Sequence, residues 1–288
     1  MQSKLISNDL TITLNHYGAE LCSVKNNNGI EFIWQAQKDV WARHAPVLFP
    51  IVGKLKDNFF VYENKRYELP QHGFARDMEF EAFEKTPNAI TFQLQSNNET
   101  KLNFPFDFVF QIKYILSGTE LITEYRILNT SDEILFASLG AHPGFNCPIL
   151  PKEEFEDYYL EFEKDNFAIT KLNNGLRTDA TSNLQLNNKK LFLKTEMFDN
   201  DALVFENSQI NSVSLCSSRS SHKITLKCKN WPYFGLWTKK GNDKFVCLEP
   251  WCGIADHEAT KNELSKKDGI IQIDAGKDFN AQFSLIFS

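Results

Sequence analysis

Strict alternation of apolar and polar residues, repeated along the chain, is the feature that most limits what this sequence can fold into. In F-D-F-V-F-Q-I-K-Y-I-L (106–116), Phe106, Phe108, Phe110, Ile112 and Tyr114 fall on one side of an extended chain. Ser117-Gly118-Thr119-Glu120 supplies a turn, and the chain returns as L-I-T-E-Y-R-I-L-N with Leu121, Thr123, Tyr125 and Ile127 on one side. A period of two marks a strand with one buried face, and two such runs around a short Gly-containing loop form a β-hairpin.

The same pattern recurs. Residues 59–69 (F-F-V-Y-E-N-K-R-Y-E-L) give two short strands around Glu63-Asn64-Lys65, and 79–94 give another pair turning at Thr86-Pro87-Asn88. Near the C-terminus, D-F-N-A-Q-F-S-L-I-F (278–287) aligns Phe279, Ala281, Phe283, Leu285 and Phe287. Short strands at regular spacing predict an all-β protein, a large antiparallel β-sandwich. Short helices are expected only around 38–44 and 151–157. No βαβ rhythm, Gly-rich phosphate loop, repeat or long linker divides the chain, so 1–288 is read as one domain. That is large for a sandwich, since all-β domains commonly run to roughly 200–250 residues.

Composition narrows the function. Hydrophobic residues make up 42%, with 25 phenylalanines, enough for a large core; 24% charged residues argue against disorder. The net charge of −6 without a basic stripe makes nucleic acid or an anionic membrane an unexpected partner. Six scattered cysteines (Cys22, Cys147, Cys216, Cys228, Cys247, Cys252) form no C-x-x-C pair. With no signal-peptide pattern and no apolar run near the roughly 20 residues of a membrane helix, the expectation is free thiols in a cytoplasmic protein.

Three stretches join ionisable residues to strand-ending turns: P-Q-H-G-F-A-R-D (70–77), L-G-A-H-P-G-F-N (139–146) and C-L-E-P-W-C-G (247–253). A fourth, F-P-I-V-G-K-L-K-D-N (49–58), ends an apolar run in Gly53 and charges. The run 134–141 reads as one buried strand that Pro143 stops, leaving His142 near the end of the sheet. An imidazole there suits a general acid, although on this segment alone a histidine satisfying turn carbonyls is the simpler account. Glu249, between an apolar run and Pro250-Trp251, has the setting of a carboxylate with a raised pKa, or of an ordinary solvated turn. Trp251 offers a flat surface for a sugar ring. Gln71, His72 and Arg76 are donors suited to hydroxyl or phosphate oxygens; alternatively, Arg76 pairs with Asp77 or Glu79 on a polar hairpin edge. No spacing of His, Cys or Glu matches a zinc-ligand pattern, and no metal is expected. His16, His44, His222 and His257 read as structural or surface residues.

Together, G-A-H-P-G-F-N, L-E-P-W-C-G, Q-H-G-F-A-R-D and F-P-I-V-G-K resemble the aldose 1-epimerase (galactose mutarotase-like) superfamily, most closely its galactose-mutarotase-related bacterial branch. The likeness in order and spacing runs from G-A-E-L (18–21) to the last strand. It implies a β-sandwich with a sugar-binding groove across one sheet. It also implies an isomerase that interconverts the α and β anomers of a hexose, with His142 as acid toward the ring oxygen and Glu249 as base on the anomeric hydroxyl. His72 corresponds to a histidine that contacts the sugar. No cofactor or metal is implied, and the protein would be a monomer or homodimer whose partner is a small sugar.

Two departures from the branch stand out. Where galactose mutarotases carry an Arg in the early loop, this chain reads V-G-K-L-K-D, with Lys54 as the nearest substitute. The Asp that grips sugar hydroxyls corresponds to Asp201 or Asp199 in M-F-D-N-D-A, with Asp201 favoured. Q-H-G-F-A-R-D also resembles the hexose-6-phosphate 1-epimerases, which would give Arg76, with Lys54, a phosphate to hold. A sugar-binding sandwich without catalysis is the remaining alternative.

Overall fold

A computed structural model describes all 288 residues. Two large antiparallel sheets, of nine and eight strands, dominate it. The hairpin predicted from alternation is present: Phe108–Ser117 pairs with Glu120–Asn129, closing at Ser117↔Glu120, and every second residue is buried. Gly118 takes the first turn position at φ +57°, which a Cβ would disfavour. The pairs Phe59–Tyr62 with Lys65–Glu68, and Glu81–Lys85 with Ala89–Gln95, also form as read. A three-stranded sheet (Gln2–Ile6, Leu10–Asn15, Leu21–Asn26) opens the chain.

The inward faces of the two large sheets share one core of 66 buried residues. Aromatic rings bridge them. Phe49, just past the edge strand Val47–Leu48 of the eight-stranded sheet, stacks on Phe110 of the other at 4.5 Å. Phe162 and Phe167 meet across the same gap, with ring centroids 5.0 Å apart.

Three expectations need correction. Residues 38–44 form no helix; the amides of Val40 and Trp41 bond the Gln37 carbonyl and the turn goes no further. Around 151–157 only a 3-10 turn, Phe155–Asp157, appears. The α-helix is Asn98–Asn103, started by an Asn97–Thr100 capping box. The predicted strand over 134–141 is two strands. Leu135–Ala137 pairs with Ile271–Ile273, whereas Leu139–Ala141 pairs with Phe245–Cys252. Between them the Ser138 amide bonds the Pro50 carbonyl and Gly253 presses on the Ser138 side chain, so the chain changes partners there.

Candidate active site

The strand Phe245–Cys252 runs through the eight-stranded sheet with every residue buried. Alternation sorts its side chains: Val246 and Leu248 enter the core between the sheets, whereas Cys247, Glu249 and Trp251 face the other way. On one side it pairs with Tyr233–Trp237 (Gly235↔Glu249, Trp237↔Cys247). On the other it pairs with Leu139–Ala141 (Gly140↔Trp251) and then with Gly144–Asn146 (Gly144↔Cys247). Both segments keep one register, which sets His142 across from Glu249 at the point where Pro143 interrupts the ladder. His142 follows directly on the strand Leu139–Ala141, as the sequence suggested, in the gap before Gly144–Asn146, whereas Glu249 lies inside a strand and does not end one.

Glycines on the flanking strands make room on this face. A Cβ on Gly235 would lie 2.3 Å from the Trp251 ring, and one on Gly140 2.8 Å from it. The result is a cleft of about 390 Å³ lined by His72, His142, Glu249, Arg76, Asp201 and the indoles of Trp41, Trp237 and Trp251, among others. That volume is within the range of small-molecule sites, roughly 300–1,000 Å³. A larger groove of about 630 Å³ lies near Gln111, Glu124 and Trp231. It has no histidine and no buried carboxylate among its lining residues, whereas the smaller cleft has both.

His142 Nε2 lies 3.3 Å from Glu249 Oε2, and the residues are 8% and 1% exposed. The His142 ring packs against Trp41 at 4.9 Å, Trp237 at 5.5 Å and His72 at 5.6 Å between centroids. In these dry surroundings burial penalises both charged forms. It pulls His142 down to about 3, an effect to which Arg76 and Arg43 add. It pushes the Glu249 carboxyl well above the usual carboxylate range. The Trp251 indole N–H offsets part of that rise, without a hydrogen bond of ordinary geometry, and Asp201 reinforces it. Glu249 Oε2, His142 Nδ1 and Trp251 Nε1 are all buried without a hydrogen-bond partner. Three unsatisfied polar atoms in one cleft point to a polar ligand.

His72 enters on a tight loop. It has φ +69°, Gly73 has φ +70°, and a Cβ on Gly73 would strike the Phe49 carbonyl at 2.3 Å. His72 Nδ1 accepts the Gly53 amide at 3.1 Å, and the His72 amide donates to the Gly53 carbonyl at 2.9 Å. The proton of the neutral ring is thereby left on Nε2; the Gln71 side-chain nitrogen 3.3 Å away is itself a donor and accepts nothing from it. Part of His72 remains open to the cleft, but protein packs around its ring. This desolvation, with His142 and Arg76 nearby, holds it well below the usual histidine range.

Gln71, His72, Arg76, Asp201 and Trp251 all line the cleft with His142 and Glu249. Arg76 donates to the Gln71 carbonyl at 2.7 Å, and its Nε lies 3.7 Å from Asp77, which also pairs with Arg43 at 2.9 Å. Burial and Arg43 lower its guanidinium to about 10, so it stays charged at neutral pH. Asp199 pairs with Lys240 at 3.7 Å and is not in the wall. Lys54 is not in the wall either; its ammonium donates to the Asn174 carbonyl at 3.1 Å, next to the lining residue Gly175.

Sequence reasoning missed Trp41 and Trp237, which pack on His142. Trp41 sits in the stretch read as a helix, and only the scarcity of tryptophan marked it. It also missed the support behind the wall at Ile254 and Ala255. Lys267, almost fully buried, donates to the Ile254 carbonyl and to Asp256, both at 2.7 Å, while Arg177 donates to the Ala255 carbonyl at 3.2 Å.

No helix is long and apolar enough to cross a membrane, and all six cysteines are free and buried. The family profile described as aldose 1-epimerase matches residues 2–285. Protein LacX of Lactococcus lactis subsp. lactis, in its plasmid form, is 32% identical over 284 residues, 95% of each chain. A galactose mutarotase related enzyme from Lactobacillus acidophilus superposes with a TM-score of 0.95 at 36% identity, covering 100% of this chain and 97% of its own. A galactose mutarotase-like protein from Lactobacillus casei gives 0.91 at 28% identity, with both chains covered in full. With the sandwich, the cleft and these likenesses in hand, this chain is a member of the aldose 1-epimerase family, isomerases that act on sugars.

Proposed function

We propose that the protein is a hexose mutarotase that opens and recloses the sugar ring with His142 as acid and Glu249 as base. The observation that carries the reading is the facing pair itself: an imidazole and a carboxyl 3.3 Å apart at the buried floor of a sugar-sized cleft. Mutarotation needs one proton delivered to the ring oxygen and one removed from the anomeric hydroxyl. Burial keeps the pair at a single proton in total, because cation and anion are each disfavoured there. A hydroxyl donating to Glu249 favours the ionised carboxylate and leaves that proton on His142, ready for the ring oxygen. His72 lies edge-on to His142, and Trp251 gives the ring an apolar surface. Relatives described as galactose mutarotase-like support a hexose as substrate.

NMR exchange spectroscopy on galactose, glucose and glucose 6-phosphate measures the anomerisation rates. Glu249→Gln is expected to lower the accelerated rate by roughly 10²–10⁴-fold with the fold retained. Full activity in that variant would sink the mechanism, and sugar binding without any acceleration would support a non-catalytic sugar-binding protein.

One observation favours a phosphorylated hexose as a second reading. Arg76 lines the cleft as a charged guanidinium whose Nε is buried without a hydrogen bond, and Arg43 is close by. If it reads phosphate, Arg76→Ala raises KM for glucose 6-phosphate far more than for galactose. Equal effects on both sugars would make Arg76 a structural residue.

A further inference from the structure

Cys247 has no part in the acid–base scheme, yet it lies beside it. It sits two residues before Glu249 on one strand and faces the same way, opposite Gly144 and packed with Trp34, Phe245 and the half-buried Trp41 and Trp237. A ring nitrogen of His142, the Cys247 sulfur and a carboxylate oxygen of Glu249 all lie within 4.8 Å of one another. A tetrahedral ion with bonds of roughly 2.0–2.3 Å holds its donor atoms about 3.3–3.7 Å apart. The His142–Glu249 separation of 3.3 Å already meets this, and a small side-chain shift brings in the sulfur.

One imidazole, one thiolate and one carboxylate form a donor set for a borderline-soft divalent cation such as Zn²⁺, not for Mg²⁺ or Ca²⁺. A second, independent observation is that Glu249 Oε2 is buried without a hydrogen-bond partner in the cleft. We propose that His142, Cys247 and Glu249 form an inhibitory site for a zinc-like divalent cation, with the fourth coordination position open to the cleft. Thiolate and carboxylate together neutralise the ion, so no net charge is left buried. The thiol gives up its proton, the His142–Glu249 pair gives up its shared proton, and bonds to S, N and O form. Spacing along the chain hides this set, because Cys247 and Glu249 share one strand while His142 lies in the gap opposite, brought there by register.

The inhibition rests on the proposed roles of His142 and Glu249, whereas the binding does not, and the test separates the two. Titrating the full chain with Zn²⁺ by calorimetry should show one ion per chain. Co²⁺ should give a thiolate-to-cobalt charge-transfer band that is lost in Cys247→Ser and in Cys247→Ala. Zn²⁺ should slow anomerisation, and each variant, normalised to its own zinc-free rate, should need about tenfold more zinc or higher. Absence of the band, or equal zinc sensitivity in the variants, would overturn the site. A band lost on substitution, with no anomerisation for zinc to inhibit, leaves the site standing and counts against the acid–base reading.

Discussion

The paired groups at the cleft floor give stability a pH dependence that can be worked out residue by residue. Folding holds His142 near 3 and Glu249 well above 4.5, so the folded pair carries one proton across the intervening range. Unfolded, with ordinary values of 6.5 and 4.5, the pair carries two protons below 4.5, one between 4.5 and 6.5, and none above. The slope of stability with pH follows the protons bound by the unfolded state minus those bound by the folded state. The pair's contribution therefore rises with pH from about 3 to 4.5 and stops rising there, because the unfolded carboxyl ionises while the folded one keeps its proton. His72, also depressed, adds a rise up to 6.5. Glu249→Gln removes only the carboxyl component. The stability of the parent minus that of Glu249→Gln should thus decline above pH 4.5 by ~1.4 kcal/mol per pH unit, until the folded carboxyl ionises. Urea denaturation across a pH series measures it, and a constant difference would mean that Glu249 is already ionised in the folded protein.

At the scale of the element, the cleft depends on strands that lack side chains where Trp251 lies. Gly235→Ala would set a methyl 2.3 Å from the indole, so either the strand or the ring must move. Overpacking of this kind costs about 1–3 kcal/mol, and the displaced indole should weaken sugar binding in calorimetry. Trp251→Phe in the same background should recover part of the lost stability, because residues in contact are not additive. Additive effects would remove the contact from the account. The hairpin 108–129 was legible in the sequence because its pattern and turn are local, whereas the face of Glu249 and Trp251 was not, because F-V-C-L-E-P-W-C is buried on both faces and shows no alternation. Their pairing was not legible: no local signal sets residue 142 opposite residue 249, and the family resemblance supplied that partnership. Residues 38–44 read as a short helix, but the turn stops at Trp41, whose ring packs on His142.

At the scale of the molecule, the last strand holds the larger sheet together. Asp278–Phe287 lies between Glu120–Asn129 and Lys223–Lys227, so residues from the middle and the end of the chain must meet before the sheet closes. Leu285 and Phe287 are buried in the common core, and Phe283 packs against Tyr125 and Trp231. Such pairings carry a high loop-closure cost and leave no stable half-sheet before the strand arrives. Ending the chain at residue 277 should therefore do more than trim an edge. It exposes the ladder edges of two interior strands and removes the side chains that join them to the core. The expected product keeps strand content in far-UV circular dichroism, binds a hydrophobic dye and unfolds without a cooperative transition. In the full chain, tryptophan fluorescence and far-UV dichroism should report one coincident urea transition, because both large sheets share one core. Two separated transitions would show that the sheets are independent folding units, and a cooperative fold in the truncated chain would show that the last strand is dispensable.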